Sequence, residues 1–274
     1  EERQELQKKA VQQMDEKYAK KHFPTGSVFG TVDKVLKRNN FAFLIIAGFM
    51  IAGCLAGLFW SIGRTLEMVA EGNRDALGIG IGFGCFWAVL VLLLGISFYF
   101  NVRNLAKKKE DYIRLSAKYS KLPEKEIEDF DRQAMASDTY ILKLTAGLDR
   151  LLSSATNKDG LLTRDYIYLA SPSQAVMRVK DLKACCFNDY TYYINTGKRS
   201  KKIHCLAVTL VSSNGNGVID TSDTTEEAGR ALMALLKERN EAIDTNDGRV
   251  LPEEALSDYI KKILEREKIG EKNC

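Results

Sequence analysis

Two stretches interrupt an otherwise mixed pattern of apolar and charged positions. The first, FAFLIIAGFMIAGCLAGLFWSIG from Phe41 to Gly63, carries no charge and lies between Lys37 and Arg38 on one side and Arg64 on the other. The second, from Ala76 to Val102, also lacks Asp, Glu, Lys and Arg, and opens with Gly78, Gly80, Gly82 and Gly84 at alternate positions. A helix rises about 1.5 Å per residue, so about twenty apolar residues cross the hydrocarbon core of a bilayer. Both stretches suffice, and the pattern predicts a transmembrane hairpin over residues 39–102, with spans at about 41–63 and 76–102. Buried helices of soluble domains seldom need so long an unbroken run. A cleaved signal peptide would be shorter and closer to the start, whereas a mostly charged segment precedes the first span.

The alternating glycines do not make a phosphate loop. A dinucleotide fingerprint needs G-x-G-x-x-G between a strand and a helix, with an acidic residue about twenty positions on; here the spacing is G-x-G-x-G-x-G and the later positions are Phe98 to Phe100. In a membrane helix, small residues four apart let backbones approach closely. Ala52 with Ala56, Gly53 with Gly57 and Gly80 with Gly84 have that spacing, which predicts the seam of a helical hairpin or of a dimer between hairpins. A transport path would bring an ionisable group to mid-membrane, and neither stretch contains one.

Before the hairpin, Leu6, Ala10, Met14 and Tyr18 share one helical stripe amid charge, predicting a cytosolic amphipathic arm over residues 1–38 that is broken by Pro24, Gly26 and Gly30. Glu1 is not a methionine, which leaves room for residues upstream. After the hairpin, residues 103–136 are helix-compatible and densely charged, with Pro123 dividing two helices; they read as a solvated stalk. From about residue 137 the texture changes to short β-branched and aromatic runs separated by turn formers. In HCLAVTLVS, alternation puts Leu206, Val208 and Leu210 on one strand face. A helix follows, with Thr224 and Glu227 at capping-box spacing and Ala228, Ala231, Leu232, Leu235 and Leu236 as its buried stripe. Residues 243–274 read as a linker and a last amphipathic helix, in which Leu256, Ile260, Ile263 and Leu264 form an apolar edge for the domain or for a partner.

Charge bears on orientation more than on partners. The net charge of +4 favours no class of ligand. Lys34, Lys37 and Arg38 precede the first span, while Arg103, Lys107, Lys108 and Lys109 follow the second. Basic residues near span ends stay on the cytoplasmic side, so the expected location is the plasma membrane, multi-pass, with both termini cytoplasmic. Cys54 and Cys85 fall in the spans, and Cys185, Cys186, Cys205 and Cys274 follow no disulfide or zinc spacing, which agrees with a reducing compartment.

The runs LLTRDYIYLA and VMRVKDLKACC, the hairpin IHCLAVTLVSSNGNGVID and the helix TTEEAGRALMALLKERN, together about residues 138–242, resemble the pleckstrin-homology-like domains of small bacterial membrane-anchored proteins. That resemblance implies an α+β membrane protein whose residues 137–242 form an antiparallel β-barrel or sandwich capped by a helix. It also implies a binding or scaffolding module without catalytic machinery, using loops or an edge to hold lipids, peptides or proteins. Lys198, Arg199, Lys201 and Lys202 in a hairpin turn are then a candidate loop for anionic headgroups or a partner. SSNGNGVIDTSD approaches a calcium loop but lacks its first Asp and twelfth Glu, and an Asn-Gly turn explains it better. His22 and His204 sit in no recognisable catalytic or metal arrangement, and vicinal Cys185 and Cys186 belong on opposite faces of a strand. The expectation is a non-enzymatic module without cofactor or nucleic acid, associated with the bilayer and with a protein partner or a second copy. The alternative is an accessory subunit of a transporter or secretion complex.

Overall fold

The computed structural model describes residues 10–73, 75–144, 159–170, 174–195, 200–214 and 217–271. The chain divides into two compact units, Asp33–Lys108 and a second one made of Glu1–Val32 with Lys109–Cys274.

The second unit is built on two sheets, antiparallel except for one short parallel edge strand. One has the order β1 (Val11–Gln13), β2 (Tyr140–Leu142), β3 (Gly160–Leu162), β4 (Tyr166–Tyr168) and β5 (Val176–Arg178). The other holds β6 (Leu182–Asn195) between β7 (Ser200–Ser212) and the short β9 (Val250–Leu251), with β8 (Val218–Asp223) beyond β7; β9 runs parallel to β6. Alternation sorts each strand into two faces. On β4, Ile167 pairs with Leu162 and Met177 and joins the core, whereas Tyr168 pairs with Leu161 and Val176 on the opposite face. On the second sheet Cys185, Phe187, Val208 and Leu210 face the same core, with Leu206 packed at its margin, as the alternation predicts. No ladder among the described residues joins the two sheets, so they are open rather than closed into a barrel. A 3-10 turn at Val179–Asp181 separates β5 from β6.

Helix α6 (Glu226–Arg239) covers the core with Ala228, Leu232, Met233 and Leu236. Its N-cap is Thr225, one residue later than the expected Thr224: the Thr225 hydroxyl accepts from Ala228 N at 3.2 Å, while Thr224 N donates to Leu206 O and extends the sheet. Asn240 ends the helix, its amide donating to Val179 O and Leu182 O. Helices α4 (Lys109–Ser120) and α5 (Glu124–Gln133) divide at Lys121, which has φ 52°, and at Pro123. They are not a free stalk. Ile127 and Phe130 are fully buried, and Phe130 packs on Tyr166 and Tyr168 of β4, while Ser120 Oγ accepts from Val176 N along β5. An amphipathic stripe this apolar finds its solvent in the sheet's outer face.

The amino-terminal arm also departs from the helical stripe. Leu6 lies outside the described residues. Val11, Gln12 and Gln13 pair with Leu142, Ile141 and Tyr140, and helix Glu16–His22 (α1) follows, capped by Asp15, whose carboxylate accepts from Tyr18 N at 2.6 Å. Pairing with β2 outweighs a weak local helical preference. At the other end, α7 (Glu253–Glu271) lays Ile260, Ile263 and Leu264 on Ala184 and Val211 of the second sheet, so its apolar edge belongs to the domain.

Helix α2 (Val28–Ala70) and helix α3 (Ala76–Leu105) make the hairpin of the other unit. Both are long and apolar enough to cross a membrane, and their most apolar windows are 11% and 0% buried. Ala47, Cys54 and Ser61, seven apart, are buried on α2, with Leu44 half-buried before them and Ile51 and Leu58 half-buried between them. On α3 the sheltered positions Gly80, Gly84, Trp87, Val91, Leu94 and Phe98 follow the same alternation of three and four, the spacing of ridge-into-groove packing between nearly antiparallel helices.

Candidate functional site

Of the basic loop residues, Lys198 and Arg199 lie outside the described residues. The backbone of Lys201 and Lys202 is on β7, opposite Ile194 and Tyr193. β8 reaches only Ala207 and β9 only Asn188, so this part of the β6–β7 hairpin is a two-stranded ribbon.

The small residues of the hairpin divide. A Cβ at Gly57 would come within 2.9 Å of the Trp87 ring, and one at Gly80 within 2.1 Å of Thr65 Oγ1; these two glycines form the α2–α3 seam. Ala52, Gly53 and Ala56 are exposed, and Gly53 and Gly84 have open space where a Cβ would stand. Gly84 lines an apolar groove of about 380 Å³ with Ile62, Leu66, Ile81 and Cys85. Two polar side chains of the hairpin are satisfied by their own helices: Thr65 Oγ1 donates to Ser61 O at 2.7 Å and Asn101 Nδ2 to Ser97 O at 2.8 Å. That is what a helix in hydrocarbon requires. Outward, Phe49 is 76% and Trp60 72% exposed, and similar apolar side chains follow along both helices.

A second site, one that sequence reasoning missed, lies in the sheet-bearing unit. It is a cleft of about 500 Å³ lined by Glu126, Arg164, Asp165, Tyr166, Arg178, Lys180 and Arg239. The β3–β4 turn presents Arg164 and Asp165, held by Gln133 of α5, which donates to Asp165 Oδ2 at 2.8 Å. Arg178 ends β5 and meets Glu126 of α5 through both carboxylate oxygens and Asp181 at 2.9 Å. The hydrogen bond from Arg178 holds the Glu126 carboxyl below its usual range, and that same bond raises the guanidinium. Burial, with Glu126, Asp129 and Asp165 nearby, pushes the Tyr166 phenol up to about 12. Arg239, at the end of α6, donates to Thr163 O and lies 5.4 Å over the Tyr140 ring. The contributing residues come from three separate stretches of the chain: α5, the segment from the β3–β4 turn to Lys180, and the end of α6. Their only local trace is a pair of charged turns, TRD and RVKD.

A third feature governs where the chain leaves this unit. Asp131, 5% exposed, accepts from Ser27 Oγ at 2.7 Å, Val28 N at 2.7 Å and Phe29 N at 3.3 Å, and pairs with Lys109 Nζ at 2.6 Å. It caps the first turn of α2 from another helix and binds the residue that opens α4. Lys109 is thus occupied within the protein.

The expected chemistry of the remaining residues is modest. Burial raises the Cys186 thiol to about 12 and lifts Cys185 further, which keeps both unreactive. His22 stacks on Tyr18 at 4.1 Å, and His204 Nδ1 lies 3.2 Å from Thr191 Oγ1. Among the described residues no three His, Cys, Asp or Glu side chains could hold a metal together. No protein-family model, no curated protein and no solved structure matches the chain.

Proposed function

We propose that this protein is a membrane-anchored, non-enzymatic binding module: the α2–α3 hairpin spans the bilayer and a pleckstrin-homology-like domain is presented on the cytosolic side. The observation that carries the reading is the hairpin's outer surface. Two helices with exposed Phe, Trp, Ile and Leu along their length would bind one another indiscriminately in water, whereas lipid tails solvate them without cost. The domain reading draws support from element order: β2 to β5 in one meander, β6 to β8 in another, then α6 over the core. Basic residues at Lys37, Arg38, Arg103, Lys107 and Lys108 support cytosolic termini.

Fractionation tests it. The full chain should sediment with membranes, resist a carbonate wash and dissolve only in detergent; a reporter after Cys274 should be cytosolic and one in the 71–75 connection external. Recovery in the high-speed supernatant without detergent would end this reading. The exposed Ala52, Gly53 and Ala56 favour a second one, an accessory subunit docking a partner span on that face. Loss of a stoichiometric polytopic partner on Gly53→Leu would select it.

A further inference from the structure

The charges of the cleft in the sheet-bearing unit do not cancel where they face the open space. Both oxygens of Glu126 are taken by Arg178, which also holds Asp181, and Asp165 Oδ2 is taken by Arg164 and Gln133. The two carboxylates that line the cleft are therefore tied into its wall. Lys180 is exposed and makes no hydrogen bond or ion pair among the described residues, although its charge reaches Glu126 and Asp165. Arg239 gives one donor to the Thr163 carbonyl and has no carboxylate partner among the described residues; a guanidinium has five N–H donors.

We propose that this cleft binds a phosphomonoester, with Lys180 and Arg239 as its two cationic contacts and Arg164 at the rim. Charge and shape both select this group. Two cations without a direct ion pair among the described residues match an ion of about −1.5 to −2 at neutral pH with three acceptor oxygens, and arginine pairs with phosphate through parallel hydrogen bonds. The volume of about 500 Å³ leaves room for the organic part of the ester. A soluble phosphate ester and a phosphomonoester lipid headgroup share this chemistry. The cleft lies wholly in one unit, so the inference stands apart from the membrane reading and its fractionation test.

The experiment uses the full chain in uncharged detergent, titrated calorimetrically with glycerol 3-phosphate and, separately, with short-chain phosphatidic acid in the micelles; short-chain phosphatidylglycerol, a diester, is the comparator. Saturable binding of a monoester, weakened at least tenfold by Lys180→Gln with Arg239→Gln and unchanged by Lys201→Gln with Lys202→Gln, supports the site. Binding of glycerol 3-phosphate assigns a soluble ligand, and binding of phosphatidic acid alone assigns the lipid. Because Arg239 also holds the β3–β4 turn, Lys180→Gln is measured by itself with the melting temperature as a folding check: at least threefold weaker binding is expected at unchanged melting. No saturable binding of either monoester, equal binding of the diester, or equal affinity in the variants overturns the proposal.

Discussion

Asp131 ties separate segments of the sheet-bearing unit together, because one carboxylate serves three donors at the start of α2 and the Lys109 ammonium. Removing it strands those donors. Asp131→Ala should destabilise the chain by about 2–4 kcal/mol, from a lost cap and lost charge-assisted bonds. Asp131→Asn, which still accepts from Val28 N, should cost about 1 kcal/mol, since half-exposed Lys109 contributes at the low end for an ion pair. Guanidinium unfolding in micelles measures both. The Glu126–Arg178 pair sets an acid limit. Glu126 titrates below its usual 4.5 when folded, so its contribution is complete above about pH 4.5 and is lost as pH falls through the lower folded value. Glu126→Gln should therefore melt lower than the parent at pH 7 and show a shallower decline as pH falls below 4.5. Cys185 and Cys186, both buried with raised thiol pKa, should resist iodoacetamide at pH 8 until the chain is unfolded. Mass spectrometry of tryptic peptides reads the outcome, and labelling of native protein at either position would refute their placement. Neither Asp131 nor the cleft residues stand out locally, since a carboxylate in a charged helix looks like any solvated one until its partners are in place.

At the scale of elements, close approach explains where glycine matters. Gly57 and Gly80 lie under Trp87 and Thr65 on the hairpin seam, whereas Gly53 faces open space. Gly57→Leu and Gly80→Leu should lower the thermal midpoint in detergent by several degrees and Gly53→Leu should not; equal effects at all three would contradict the seam. Gly229 plays the same part between α6 and the second sheet, where an added Cβ would meet the Phe187 ring at 2.3 Å. Gly229→Ala is accordingly expected to destabilise by about 1–3 kcal/mol through overpacking, despite its better helix propensity, and chemical denaturation would show the sign. The small-residue spacing in the hairpin was legible, but it does not distinguish the face that meets α3 from the face that looks outward. A period of 3.5 read from buried positions does. The same limit applies to the arm at Ala10 to Met14, whose sequence tolerates helix and becomes strand because β2 offers an unpaired edge.

For the whole molecule, long-range periodic signals carried furthest. Two uncharged runs each longer than twenty residues, alternating apolar positions in β6 to β8 and the 3.6-residue stripes of α6 and α7 are properties of consecutive residues. They specify which elements form and which side of each is apolar, because solvent acts on every residue where it stands. Which apolar sides meet is a different question. That α4 and α5 lie against the first sheet instead of standing in solvent, that α7 covers the second sheet, and that Lys180 and Arg239 come together in one cleft all follow from contacts between segments many tens of residues apart. Local patterning has no access to those distances, and the free energy that selects among the pairings appears only when the surfaces are buried together.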